Sequence, residues 1–265
     1  MCVLCTSPFS GGKPLNYPIN DDETIEDLQL GGLFLIQKKN AFRFGMDSVL
    51  LAHFTEVREN DTVADLGTGN GALIFLLHGR NKGKHYYALD IQPEATELVQ
   101  KNAVLNHMED RITAINADAL AASSYIPSCS VDAAVCNPPY GLPSSSLSSP
   151  SAKKATARTQ EKETLDHLLK GAFSILKGKG KLSLVYPAAQ MLQLMNKLQK
   201  YHLEPKRFQL VYPYVDKPAN LVLIEAVKDA RPTLHPMKPL LIYEQDGSLT
   251  NDLKSVYHIR EQTEF

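Results

Sequence analysis

Between Thr62 and His78 the chain passes from a short apolar run (TVADL) through a turn with glycine at every second position, Gly67, Gly69 and Gly71, into an apolar stretch of helical length. Glycines so placed allow backbone angles and close approaches that a side chain forbids. The unit reads as a strand, a tight turn and a helix over Gly71–His78, the first N–H groups of the helix facing whatever lies beyond the turn. The alternation then repeats. Tyr86–Ile91 reads as a second strand, Pro93–Asn106 as a helix with proline in its first turn, and Arg111–Asn116 and Val131–Cys136 as the third and fourth strands. Glu163–Leu176 reads as a helix, Lys181–Tyr186 as a fifth strand, Ala188–Tyr201 as a helix, and Phe208–Tyr212 with Leu221–Val227 as a closing strand pair. Ahead of these, Asp47 caps a short helix over DSVLLAHF. Such alternation predicts an α/β fold, a mostly parallel sheet with helices on both faces. Ligands of such sheets bind beyond the carboxyl ends of the strands, near the point where strand order reverses.

The length, 265 residues, suits one large domain with little to spare. That domain is expected over residues 25–265, after a Pro-, Gly- and Asn-rich lead (1–24) read as poorly ordered. Residues 141–160 read as a Ser/Pro-rich loop turning basic at its end, and 228–265 as a C-terminal extension. No apolar run approaches the roughly 18 residues that cross a bilayer, and the first residues lack the basic start and apolar core of a secretory signal. A cytoplasmic protein with no membrane partner is the expectation. The four cysteines are too few for a disulfide scaffold. Cys2 and Cys5 have C-x-x-C spacing, but no second pair or His cluster completes a zinc site, so no metal is expected.

Charge is unevenly spread. The net value is −1, yet residues 151–210 carry 12 Lys and Arg against four Asp and Glu. A local excess of that kind attracts a polyanion; the same side chains also serve simply to solvate helix faces.

Acidic residues stand at three strand ends. Asp65 closes the first strand, ahead of the glycine turn in the pattern D-x-G-x-G-x-G, which is not the dinucleotide pattern G-x-G-x-x-G. Asp90 ends the second strand, where a carboxylate accepts from two ribose hydroxyls. Asp118 ends the third, where it can accept from an adenine amino group, with Ile91 and Ala119 lining the two ring faces. The helix start at Gly71 suits an amino-acid carboxylate. Singly, each acid reads as an ordinary turn residue; in this order they predict an adenosyl cofactor.

Asn137-Pro138-Pro139-Tyr140 follows the fourth strand. An exocyclic amine on an aromatic ring is a poor nucleophile because its lone pair is delocalised. Two acceptors gripping its N–H groups hold the nitrogen toward tetrahedral geometry. Asn137 Oδ1 and the Pro138 carbonyl can form that pair on backbone stiffened by the prolines. Fixed acceptors aimed at charge developing in the transition state are a large catalytic term. Tyr140 offers a face on which an unstacked base can lie.

These motifs resemble the class I, Rossmann-like methyltransferases with an NPPY tetrapeptide. More closely, Asp27-Leu28-Gln29, the run from Gln37 to Ala52, VADLGTGNGAL, ALDIQ, NADAL and Leu240–Tyr257 are similar to the bacterial tRNA1(Val) adenine-N6 methyltransferase family. The resemblance covers about residues 25–260. It implies a seven-stranded sheet, S-adenosyl-L-methionine as cofactor, tRNA as partner, and methylation of the adenine 3′ of a valine tRNA anticodon. It assigns Asp65, Gly67 and Gly69 to the methionine end of the cofactor, Asp90 to the ribose, Asp118 to the cofactor adenine, and Asn137, Pro138 and Tyr140 to the target base. Phe42–Asp47 would close over the methionine end. Lys153, Lys154, Ala157 and Arg158 match a basic stretch that relatives carry after NPPY, and Lys153, Lys154 and Arg158 are the expected RNA contacts. The Ser144–Ser149 loop and the cysteine-containing start depart from the family. Four alternatives stay open: methylation of a glutamine amide on a release factor, of guanine N2 in RNA, or of adenine in DNA, and a module that binds the cofactor without catalysis. Oligomeric state is not legible.

Overall fold

The structure, a computed structural model, describes residues 17–39, 45–138 and 152–257, the stretch 152–163 by its backbone alone. Strands β3 (Thr62–Leu66), β4 (His85–Asp90), β5 (Ile112–Asn116), β6 (Val131–Cys136), β7 (Leu176–Pro187), β8 (Leu203–Tyr212) and β9 (Leu221–Lys228) form the body of the sheet. Two-residue strands β10 (His235–Pro236) and β11 (Leu240–Leu241) attach to β8, giving nine strands in all, in the path β10-β8-β9-β7-β6-β3-β4-β5 with β11 also on β8. The seven expected strands are therefore present, and the C-terminal segment adds two short ones. Pairing is parallel except where β9 runs against β7 and β8. The β3 and β6 segments are apolar and almost wholly buried, as strands covered on both faces require.

One face carries α1 (Met46–Phe54), α2 (Ala72–His78) and α6 (Asn251–Val256), whose Leu51, Phe75 and Leu253 are completely buried in a common core with Val63 and Val185. The other face carries α4 (Ala152–Ile175) and α5 (Met191–Lys200), with Leu169, Ala172 and Leu198 packed on Ala64, Ala134 and Ile224.

The sequence reading needs four corrections here. Asp47 does not cap α1: Gly45 holds the cap position with no side-chain cap bond, and Asp47 lies inside the first turn, where its charge still suits the helix start. The helix expected from Glu163 begins at Ala152, so the second half of the supposed loop 141–160 is helical. Its first residues are Ala, Lys, Thr, Arg, Gln and Glu with no apolar period; most are strong helix formers. Residues 17–24, read as part of a poorly ordered lead, have a defined place: Glu23 is buried and starts β1 (Glu23–Asp27), which pairs antiparallel with β2 (Phe34–Lys38). That hairpin was not foreseen.

The hairpin is held by side-chain amides that act as a peptide strand. On α3 (Pro93–Leu105), Asn102 accepts from Ile36 N at 2.6 Å and donates to Ile36 O at 3.1 Å. Asn106, one turn on, accepts from Phe34 N at 2.9 Å and donates to Phe34 O at 2.8 Å. Four helical residues rise about 6 Å and two strand residues about 6.6 Å, so the two amides match two same-side peptide groups of β2. The edge of β2 is thereby paired. Asn102 also donates to Asn70 O at 3.0 Å, tying the hairpin to the glycine turn.

Candidate active site

The strand order sets the site. From β3 the chain moves outward to β4 and β5, then returns to place β6 on the other side of β3, so order reverses between β3 and β6. Asp65 lies level with Val135, two residues before Asn137. Asp118, Asp90, Asp65 and Asn137 therefore sit at the ends of four neighbouring strands. At about 4.8 Å per strand, the row spans about 14 Å.

The turn after β3 is hung from β4, with Gly67 N and Thr68 N both donating to Leu89 O at 2.8 and 3.1 Å. Gly71, at φ 82°, begins α2; a Cβ there would meet Phe75 and Val99 at 3.1 and 3.2 Å. Gly69 is different. At φ 56° it has nothing within 4 Å of where a Cβ would stand, so its backbone faces open space.

Asp65 is completely buried. Its Oδ2 accepts from Thr68 Oγ1 at 2.7 Å, and its Oδ1 has no partner among the described residues. Burial, assisted by the charge of Asp90 and opposed by the Thr68 bond, pushes its pKa up to about 7. Asp90 accepts from Gly69 N at 2.9 Å and from Gln92 N at 3.0 Å, so one carboxylate pins the glycine turn to the entrance of α3. Each oxygen retains a second lone pair. Ile91 next to it is 65% exposed, an apolar side chain with no protein cover. Asn116 fixes that corner by donating to the carbonyls of Asp90 and Ile91 at 3.1 and 3.0 Å.

Asp118 caps the 3-10 turn Ala119–Ser124 through Leu120 N, and Ala119 is buried beneath it. Its carboxylate also faces His167 of α4, Nδ1 lying 3.0 and 2.9 Å from Oδ1 and Oδ2. Asn137 is half-buried and Pro138 buried. The Asn137 amide nitrogen donates to Ser48 Oγ of α1 at 3.3 Å.

The structure thus gathers Asp65, Gly67, Gly69, Gly71, Asp90, Ile91, Asp118, Ala119, Asn137 and Pro138 on one edge. Tyr140, Phe42–Phe44 and Ser144–Ser149 lie outside the described residues. Lys153, Lys154 and Arg158 fall on the first half of α4, their side chains likewise outside. Ser48, Thr68 and His167 were missed. Ser48 stands in the MDS stretch that opens α1, and Thr68 inside the glycine turn, so both had local signals. His167 is 49 positions from its partner and had none.

Residues 43–206 match the methyltransferase small domain family, and the chain belongs to it. A curated relative from Parabacteroides distasonis, named tRNA1(Val) (adenine(37)-N6)-methyltransferase, is 30% identical over 208 residues, 78% of this chain and 84% of its own. One of the same name from Aliivibrio salmonicida is 26% identical over 212 residues, 80% of this chain and 88% of its own. A crystal structure of a predicted O-methyltransferase from Agrobacterium tumefaciens superposes with a TM-score of 0.64 at 21% identity, over 80% of this chain and 96% of that one, a likeness of fold.

Proposed function

We propose that this methyltransferase uses S-adenosyl-L-methionine to methylate N6 of an adenine in tRNA, the adenine 3′ of a valine tRNA anticodon. One observation carries the reading. Strands β5, β4, β3 and β6 lead, in that order, to Asp118, Asp90, Asp65 and Asn137, the order in which the reading needs acceptors for the adenine, the ribose, the amino-acid end and the target amine. The residues fit such a cofactor: Asp65 keeps a buried oxygen without a partner among the described residues, suited to a cationic amino group, and the backbone at Gly69 is open to close approach. Asp118 with Ile91 and Ala119 would hold the adenine, Asp90 the ribose, and Asp65 with Gly67 and Gly69 the methionine end. When bound, the cofactor supplies an electrophilic methyl group on a sulfonium.

The chain's own part is to prepare the nucleophile. An Asn137 amide that commits its nitrogen to Ser48 keeps Oδ1 for an incoming N–H. The Pro138 carbonyl accepts the second N–H, and the proline ring fixes that carbonyl's direction. The nitrogen then gains positive character as the bond forms, and two neutral acceptors stabilise it. Its surplus proton leaves readily to water afterwards, so no buried base is required. Tyr140 stacks the displaced base, while Lys153, Lys154 and Arg158 meet phosphates. The setting is the cytoplasm, where such tRNA is made and used.

The test is transfer of labelled methyl from the cofactor to bulk tRNA lacking the modification, followed by nucleoside digestion. Label in N6-methyladenosine is expected. Label in N2-methylguanosine, or in a release factor and not in tRNA, would overturn the substrate assignment.

A further inference from the structure

Helix α4 comes unusually close to the adenine corner. A Cβ at Gly171 would stand 2.2 Å from Ala119 O, so only glycine lets the helix settle there. One turn earlier, on the same face of α4, His167 points Nδ1 at both oxygens of Asp118, at 3.0 and 2.9 Å. Asp118 Oδ1 also accepts from Leu120 N at 2.8 Å. The Asp118 side chain is 37% exposed and that of His167 36%. The Leu120 bond holds Oδ1 from within the turn; on a carboxylate this open, a second contact from another helix is what fixes the rotation about its last bond. His167 is that second hold. With Nδ1 as donor, part of the acceptor capacity of Oδ2 stays available.

We propose that His167 is a positioning residue for the nucleoside. By fixing the rotation of the Asp118 carboxylate, it aims Oδ2 at the exocyclic amine of the cofactor's purine and sets the preference for a 6-amino over a 6-oxo base. This rests on the assignment of Asp118 to the adenine, and it adds a residue from a helix on the opposite face of the sheet from α2 and α3. A 6-amino group donates to the carboxylate. A 6-oxo group presents a lone pair to it and is rejected. A carboxylate free to turn away does neither well.

The experiment is calorimetric titration of the full-length protein with S-adenosylhomocysteine and with S-inosylhomocysteine, its 6-oxo counterpart. The wild type should prefer the 6-amino ligand by about tenfold to a hundredfold, as a hydrogen bond to a charged group gives. His167→Ala should weaken the 6-amino ligand by roughly fivefold to tenfold and leave the 6-oxo ligand unchanged or somewhat tighter, because the freed carboxylate no longer rejects it. His167→Asn, whose amide nitrogen can take the place of Nδ1, should restore most of the preference. Melting of each variant without ligand guards against misfolding, and the Asn variant stands if the Ala variant does not fold. An unchanged preference in His167→Ala, or equal weakening of both ligands, overturns the role of His167. The assignment beneath it fails in a different way: the wild type would bind neither ligand or show no preference, and Asp118→Asn would not shift preference toward the 6-oxo base.

Discussion

The two ends of the sheet differ in how they treat charge. At the amino ends of β6 and β7, below α1 and the C-terminal segment, lies a cavity of about 840 Å³ lined by Lys82, Lys177, Lys181, Arg207, Glu56 and Asp132 among others. Its volume and its cations suggest a binding site, yet most of those cations are already engaged by carboxylates or backbone carbonyls. Lys177 meets Asp132 at 2.6 Å, Lys181 meets Glu56 at 2.9 Å, and Arg207 meets Glu225 at 2.9 Å and Glu56 at 3.3 Å. Lys82 closes the end of α1 on the carbonyls of Ala52, His53 and Thr55. Burial, with the charges of Arg80 and Arg207, lowers its pKa to about 8. The carboxyl ends differ: among the described residues Asp65 keeps a buried carboxylate oxygen without a partner, Ile91 is largely exposed, and Gly69 has open space where a Cβ would stand. The buried cavity atom without a partner, Arg207 Nε, belongs instead to a guanidinium already paired through its other nitrogens. Size marks a cavity; a buried carboxylate with no cation beside it marks a site. Changes at the carboxyl end should therefore cost activity or binding, and changes at the other end should cost stability.

The largest effect expected is at Asn137. Asn137→Ala removes one of the two acceptors of the target amine and should lower turnover by about 10²–10³-fold, the loss typical of one preorganised transition-state contact. Affinity for S-adenosylhomocysteine should stay within a few fold, and melting should change little because, among the described residues, one half-buried bond to Ser48 is lost. Single-turnover methyl transfer beside calorimetric titration separates the two. Near-normal turnover would dissolve the contrast between the ends.

Arg207→Ala is the counterpart at the other end. It strips a largely buried guanidinium from Glu225, which is 4% exposed, and from the ring of Phe54, 4.3 Å below it. Breaking a buried pair typically costs about 3–5 kcal/mol. Lys181 remains 3.6 Å from Glu225 and softens the loss, so the lower part of that range is expected. Urea unfolding should register it, with affinity for the cofactor product unchanged. A variant of normal stability with weakened binding of S-adenosylhomocysteine or tRNA would make the cavity functional after all.

What the sequence could tell follows the same division. The parallel strands were legible because burial on both faces leaves continuous apolar runs, and the cofactor row because its acids sit at strand ends in order. The β1–β2 hairpin was not, since ETIED is charged and its partners are the Asn102 and Asn106 side chains some 70 positions away; those links appear only once α3 is placed. The start of α4 was not, because its residues carry no apolar period to find. His167 was hidden for a third reason. Its role depends on a close helix crossing at Gly171, and one glycine in a helix carries no address.

The smallest effect probes the unmet oxygen itself. The unfolded Asp65 carboxyl titrates near 3.8 and the folded one near 7. Between those values the folded chain holds a proton that the unfolded chain has released. Stability of the free protein should therefore fall as pH rises from about 4 to about 7, and level above it. Binding runs the other way. A cationic amino group is drawn to the ionised form, so affinity for S-adenosylhomocysteine should rise with pH up to about 7, by at most tenfold per unit, with a proton released on binding below that point. Calorimetry at pH 5.5–8.5 in buffers of different ionisation enthalpy reads both the slope and the proton. Asp65→Asn should flatten both profiles, because its amide does not titrate. If wild-type affinity were flat across that range, with no proton released, the buried oxygen would not be the partner of the amino group. The carboxyl end would then lose the unpaired buried carboxylate that most clearly sets it apart from the ion-paired cavity.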